Sequence, residues 1–126
     1  MIQGTASHAG KSLLVAGLAR VFAQDGYSVA PFKSQNMSLN SFVSADGGEM
    51  GRAQVVQAEA AGVEPLLDMN PVLLKPTTDT GAQVVVHGRP VGTMTAQDYH
   101  DFKLGLLDAV SDSLERLRRA FQVVII

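Results

Sequence analysis

The residues most able to do chemistry lie close to the N-terminus, in Gly4-Thr5-Ala6-Ser7-His8-Ala9-Gly10-Lys11-Ser12. The strict phosphate-loop pattern is G-x-x-x-x-G-K-[ST]. Gly10, Lys11 and Ser12 fit it, while the first glycine falls one residue early and Thr5 stands in its place. Such a segment turns the backbone N–H groups of the loop and of the following helix start toward an anion. Residues 5–12 are therefore the candidate holders of a triphosphate. Lys11 would neutralise β- and γ-phosphate oxygens, and the Ser12 hydroxyl would join a Mg²⁺ shell. The alternative is a glycine-rich turn that merely opens a helix. His8 is either a phosphate contact or a solvated bystander.

The elements around this loop are those such a site needs. Met1-Ile2-Gln3 reads as the end of a strand that delivers the chain into the loop. Lys11 to Gln24 carries apolar residues at Leu14, Val15, Leu18, Val21 and Phe22, the spacing of an amphipathic helix, and Gly26 is its natural terminator. Tyr27 to Phe32 predicts a short strand that ends at Lys33. Ser34 to Gly48 is rich in Ser, Asn and Gly and reads as a long polar loop, a kind of segment that is usually functional or disordered. Glu49 to Ala61 predicts a second helix, ended by Gly62. Asn70 to Pro76 and Gln83 to His87 are candidate strands. Thr95-Ala96-Gln97-Asp98 is a capping box that opens a third helix, whose apolar stripe runs Tyr99, Phe102, Leu106, Leu107, Val110, Leu114, Leu117 and Phe121. Arg116, Arg118 and Arg119 fall in its last turns, where cations suit the helix dipole. Val123 to Ile126 is a fully apolar strand. This alternation gives an α/β fold, a P-loop NTPase-like parallel sheet with flanking helices.

Composition narrows the field. The 126 residues suit one small domain, and 46% are hydrophobic, as in ordinary globular proteins. Ten basic and twelve acidic residues leave a formal charge of −2, with no basic run beyond Arg118-Arg119, so neither a nucleic acid nor a membrane surface is indicated as partner. No apolar stretch approaches the roughly 20 residues of a membrane span, and no secretory leader is visible. The absence of cysteine excludes a disulfide framework, a thiolate metal site and a Cys nucleophile on this chain, and fits a cytoplasmic setting.

Several further segments are distinctive: Pro31-Phe32-Lys33-Ser34-Gln35-Asn36-Met37-Ser38-Leu39-Asn40-Ser41, Asp46-Gly47-Gly48-Glu49-Met50-Gly51-Arg52-Ala53-Gln54, and Asn70-Pro71-Val72-Leu73-Leu74-Lys75-Pro76. With Asp79-Thr80-Gly81 leading into Gln83 to Gly88, they resemble the N-terminal synthetase domain of the cobyric acid synthase family, along essentially the whole chain. The phosphate-loop variant is similar to that of dethiobiotin synthetase. The resemblance implies ATP, Mg²⁺ and glutamine as reactants or cofactors. It implies stepwise amidation of corrin side-chain carboxylates b, d, e and g, through acyl phosphates. A corrinoid and the glutaminase domain of a longer chain are the implied partners.

The resemblance also implies roles for residues. Lys33 would stand near the reacting carboxylate and the γ-phosphate, as a catalytic cation beside Lys11. Glu49, with Asp46 as rival, would add a carboxylate to the Mg²⁺ shell; either could instead be a helix N-terminal acid. Gln35, Asn36, Ser38 and Asn40 would hydrogen-bond the corrinoid, the alternative being an ordinary polar loop, and Lys75 would clamp an anion or else be a strand-end lysine in solvent. The lysine that partition-type ATPases carry five positions before the phosphate-loop lysine is Ala6 here. The family continues beyond Val123 to Ile126 with a Glu-Gly-Ala-Gly segment and a cysteine-dependent glutaminase domain, so residues 1–126 are expected to be part of the ATP-binding domain, truncated at both ends. Such a piece is expected to bind nucleotide weakly, if at all, and not to complete amidation. Relatives of this fold often dimerise around the active site, making a homodimer a further expectation. Two other readings remain: a P-loop module whose nucleotide state controls a protein partner, and a sibling ligase such as cobyrinic acid a,c-diamide synthase or dethiobiotin synthetase.

Overall fold

A computed structural model describes residues 1–6, 8–78 and 81–126. The order of elements is α1 (Lys11–Gln24), β1 (Val29–Pro31), β2 (Gln35–Met37), β3 (Ser41–Val43), β4 (Glu49–Gly51), α2 (Arg52–Ala61), β5 (Val72–Pro76), β6 (Gly81–Val86), β7 (Arg89–Thr95), α3 (Ala96–Phe102), α4 (Leu107–Ala120) and β8 (Val123–Ile125). Single 3₁₀ turns occupy Leu67–Met69 and Lys103–Leu106.

Parallel pairing appears where the connections are long. β1 lies parallel to β8, with Val29 opposite Val123, and the N–H of Ile2 donates to the carbonyl of Ile126. The first residues thus meet the chain just past β8 and lead into the phosphate loop, but Met1-Ile2-Gln3, expected as a strand end, forms no strand. β2 lies parallel to β5. Where connections are tight, the strands are antiparallel: β5 with β6, β6 with β7, and β3 with β4. The β6–β7 turn is made by His87 and Gly88, at φ 44° and 77°. Two successive residues in the left-handed region match the twist of a two-residue hairpin.

Three apolar clusters hold these pieces together. Val15 and Ala19 of α1 meet Val29, Ala61 and Ile125. Ala30, Phe32, Met50, Val55, Ala58, Met69 and Leu117 join β1 and α2 to α4. On the far face of the mixed sheet, Val72, Leu74 and Val84 pack on Leu106.

Several expectations change. The buried face of α1 is set by Val15 and Ala19, which leaves Leu14 and Val21 exposed. The segment 34–48 is not one loop: β2 and β3 lie within it, and β2 is hidden from hydropathy by Asn36, whose partner Gln54 is inside the protein. The helix expected from Glu49 starts only at Arg52, because Glu49–Gly51 pairs with Ser41–Val43 and Gly51 is extended at φ −67°, ψ 129°. β7 was unexpected, since Pro90 and Gly92 interrupt its pattern; an edge strand tolerates both. The third helix is broken. Its capping box is present, with the Asp98 N–H donating to Thr95 Oγ1 at 3.2 Å and the Thr95 N–H to Asp98 Oδ2 at 3.3 Å. The 3₁₀ turn then shifts the helical phase, so that Leu106 is buried and Leu107 exposed. No helix among the described residues is long and apolar enough to cross a membrane.

Candidate functional site

The phosphate loop is a surface structure. Thr5, Ala6, His8, Ala9, Gly10 and Ser12 are all exposed; Ser7, and Asp79 and Thr80 further on, lie outside the described residues. Gly10 caps α1 at φ 84°, accepting the N–H of Leu14 on its carbonyl at 3.0 Å, and His8 is also left-handed at φ 57°. The first turn of α1 contains no acidic residue, so its N–H groups and the positive end of its dipole remain available to an anion. Lys11 folds back along the loop, and its Nζ donates to the Ala6 carbonyl at 2.9 Å. A Cβ built on Gly4 would stand 3.0 Å from both Cδ and Nζ of Lys11. The early glycine therefore has a local reason: the lysine side chain crosses the loop at that point.

Lys33 follows β1, and a buried group of amides holds it. Its Nζ donates to Asn36 Oδ1 at 3.2 Å, and Asn36 Nδ2 donates to Gln54 Oε1 at 3.0 Å. At the other end of the residue, Asn70 Nδ2 donates to the Lys33 carbonyl at 3.1 Å and to that of Val72 at 2.9 Å, while Asn70 Oδ1 accepts the Gly51 N–H at 2.9 Å. Asn36, Gln54 and Asn70 are 7%, 2% and 1% exposed. Gly51 sits in their midst, where an added Cβ would come within 2.3 Å of Asn36 Nδ2. One turn further along α2, the 4%-exposed Gln57 donates from Nε2 to the Ser12 carbonyl at 3.1 Å.

The structure thus brings Lys33 and Asn36 together, though Asn36 turns inward rather than toward a ligand. It also pairs Lys75 with Glu49, Nζ to Oε2 at 2.8 Å, so the candidate anion clamp and the candidate metal ligand hold each other. The Ser38 hydroxyl accepts the Asn40 N–H at 3.1 Å in a local turn. Gln35 points to the opposite face of the sheet, where its Oε1 accepts from the Tyr99 hydroxyl at 2.7 Å. That face carries a cleft of about 430 Å³ floored by Leu74, Ala82 and Val84. Burial raises the Tyr99 phenol above its ordinary pKa.

Asp46 lies elsewhere, in a cleft of about 400 Å³ with Leu67, His87 and Arg89 and no phosphate-loop residue. A hydrogen bond from the Ser44 hydroxyl, with smaller help from the Gly48 backbone and Arg89, holds its carboxyl below the ordinary range. Beside it, His87 Nε2 and the buried Ser113 Oγ are 2.7 Å apart, and Arg116 makes a two-pronged contact with Asp68 at 2.9 and 2.7 Å. No group of three potential metal-ligating side chains occurs among the described residues.

Sequence reasoning passed over Gln54, Gln57, Asn70 and Gly51. The available signal was the stripe Gln54, Gln57, Ala58 and Ala61: a helix face at core spacing whose first half is amide.

The family described as CbiA, CobQ/CobB/MinD/ParA nucleotide binding domain, matches residues 1–125. Among curated proteins, the chain is 61% identical over 127 residues to the cobyric acid synthase of Pelotomaculum thermopropionicum, covering 100% of this chain and 24% of that protein. It is 58% identical over 126 residues to that of Syntrophobacter fumaroxidans, with 100% and 24% covered. Against that of Clostridium botulinum (strain ATCC 19397) it is 58% identical over 125 residues, with 99% and 25% covered. The chain spans about a quarter of the length of these curated relatives. No solved structure matches it.

Proposed function

The chain belongs to the CobQ/CobB/MinD/ParA nucleotide-binding domain family, and from that premise we propose that it is the ATP-binding part of a ligase that amidates corrinoid carboxylates. The observation that carries this reading is how its lysines are held. Lys11 and Lys33 rest on neutral oxygens, the Ala6 carbonyl and the Asn36 amide. Neither takes part in the three ion pairs among the described residues. Two cations lodged on neutral acceptors keep their charge for incoming anions; a carboxylate partner would have spent it.

The anions that fit are a triphosphate on the loop and a carboxylate near Lys33. Residues 5–12 cradle the phosphates, Lys11 draws β- and γ-oxygens, and the Ser12 hydroxyl with Glu49 is the set that would hold Mg²⁺, since Asp46 faces a separate cleft. For Glu49 this requires release from Lys75, which is then available to an anion. Mg²⁺ held there would supply neutralisation of phosphate charge. Lys33 steadies the substrate carboxylate while one of its oxygens attacks the γ-phosphorus and ADP leaves. Ammonia from glutamine, delivered by a glutaminase domain, attacks the acyl carbon; phosphate leaves and the nitrogen loses a proton. The work is positioning and charge neutralisation, for which no covalent nucleophile is needed. The substrate in this reading is (adenosyl)cobyrinic acid a,c-diamide, amidated at b, d, e and g. Asn40 is its candidate surface contact and Asn36 acts through Lys33, while Gln35 faces the other side of the sheet with Tyr99.

Calorimetric titration with Mg²⁺-ATP and then with the a,c-diamide corrinoid tests this. The expected outcome is weak binding of both, with Lys11→Met removing the first and Lys33→Met the second, and no amide formed by the chain alone. Absence of Mg²⁺-ATP binding, or binding indifferent to Lys11→Met, overturns the reading.

A further inference from the structure

We propose that α2 is a bracket that registers Lys33 against the phosphate loop, with Gln54, Gln57, Asn36 and Asn70 as positioning residues. The inference rests on the nucleotide reading above. The buried stripe of α2 has the spacing of a core-facing helix, yet Gln54 and Gln57 stand where apolar side chains would pack best. Burying an amide is costly unless its hydrogen bonds are made, and both glutamines make theirs to the two halves of the site. Gln57 holds the Ser12 carbonyl in the first turn of α1, directly behind Lys11. Gln54, three residues earlier, holds Asn36 and through it the Lys33 ammonium. Three residues of α-helix rise about 4.5 Å, so one stiff segment sets the offset between the two cations.

The hydrogen-bond chemistry permits one arrangement. An ammonium only donates, so Asn36 must turn its oxygen to Lys33; its NH₂ then faces Gln54, which must present its own oxygen. The Lys33 main chain is tied to the same helix, because Asn70 binds the Lys33 carbonyl with one end and the Gly51 N–H, just before α2, with the other. Amides are the suitable material, since they orient the ammonium without neutralising it.

The test reads the Lys33 ammonium by ¹⁵N NMR of the chain, assigned by its disappearance in Lys33→Arg, alongside a Mg²⁺-ATP titration. Gln54→Met is expected to abolish the hydrogen-bonded Lys33 signal and to change Mg²⁺-ATP affinity by less than about twofold. Gln57→Met is expected to leave that signal in place and weaken Mg²⁺-ATP binding by about fivefold, the worth of one hydrogen bond. Asn36→Asp, which keeps the volume and covers a Gln54→Met that fails to fold, should retain the signal but suppress its shift on adding Mg²⁺-ATP. Variants that move both readouts equally, or neither, would show the glutamines to be core filling and overturn the bracket. Failure of the parent chain to bind Mg²⁺-ATP would sink the nucleotide reading instead. The bracket would then be decided by the Lys33 signal alone, lost in Gln54→Met if it exists and kept if it does not.

Discussion

The phosphate loop and the amide group around Lys33 serve adjoining halves of one proposed site but are built in opposite ways. The loop is exposed, and the Lys11 bond to Ala6 spans five residues. The amide group is buried, and its bonds span 18 residues from Asn36 to Gln54 and 37 from Lys33 to Asn70. A loop closed on itself offers N–H groups and a movable cation, and an incoming phosphate completes it. A group assembled from distant segments is complete before any ligand arrives, because its buried amides satisfy one another.

Two glycines, one against Lys11 and one inside the amide group, test this contrast most directly. Gly51→Ala places a methyl 2.3 Å from Asn36 Nδ2 and 2.8 Å from Gln54 Oε1, with no room to yield. A loss of about 3 kcal/mol in denaturant unfolding is expected, from overpacking plus broken buried hydrogen bonds. A loss below about 1 kcal/mol would mean that the group relaxes easily and is not preorganised. Gly4→Ala makes the same change against the flexible Lys11 side chain, 3.0 Å away. Stability should stay within about 0.5 kcal/mol while Mg²⁺-ATP binding weakens; a stability loss matching that of Gly51→Ala would erase the distinction.

A smaller effect than that at Gly51 belongs to the half-exposed ion pair of Arg116 with Asp68. Burial opposes the Asp68 charge, but hydrogen bonds from Arg116 and Ser113 outweigh it and hold the carboxyl below its ordinary 3.8. The folded protein therefore favours the deprotonated form. Its contribution is present above about pH 4 and disappears as pH falls through the lowered value. Asp68→Asn should cost no more than about 1 kcal/mol at neutral pH after solvent screening. The melting temperatures of parent and variant should converge toward pH 3, and a gap that persists there would assign the effect to packing.

What was legible in the sequence follows the same division. The loop, α1, the capping box at Thr95 and the apolar strand at Val123 are local patterns, and the structure keeps them. β2 was hidden because Asn36 reads as a solvent residue until Gln54 and Lys33 are known to face it. β7 was hidden by Pro90 and Gly92, and the break in the third helix by an unbroken apolar stripe. Among site residues, Lys33 was found through resemblance, but its surroundings were not. Hydrogen bonds between residues dozens of positions apart leave no periodicity to detect.

The two turns beside Asp46 carry one more consequence. Gly48 and Gly88 meet backbone to backbone: a Cβ on Gly88 would lie 2.7 Å from the Gly48 Cα, and the Glu49 N–H donates to the Gly88 carbonyl at 2.9 Å. Turn tips are ordinarily where a chain accepts extra residues. Here each tip is the other's neighbour, so one cannot lengthen without displacing the other. These two turns are therefore poor places to graft a tag or peptide.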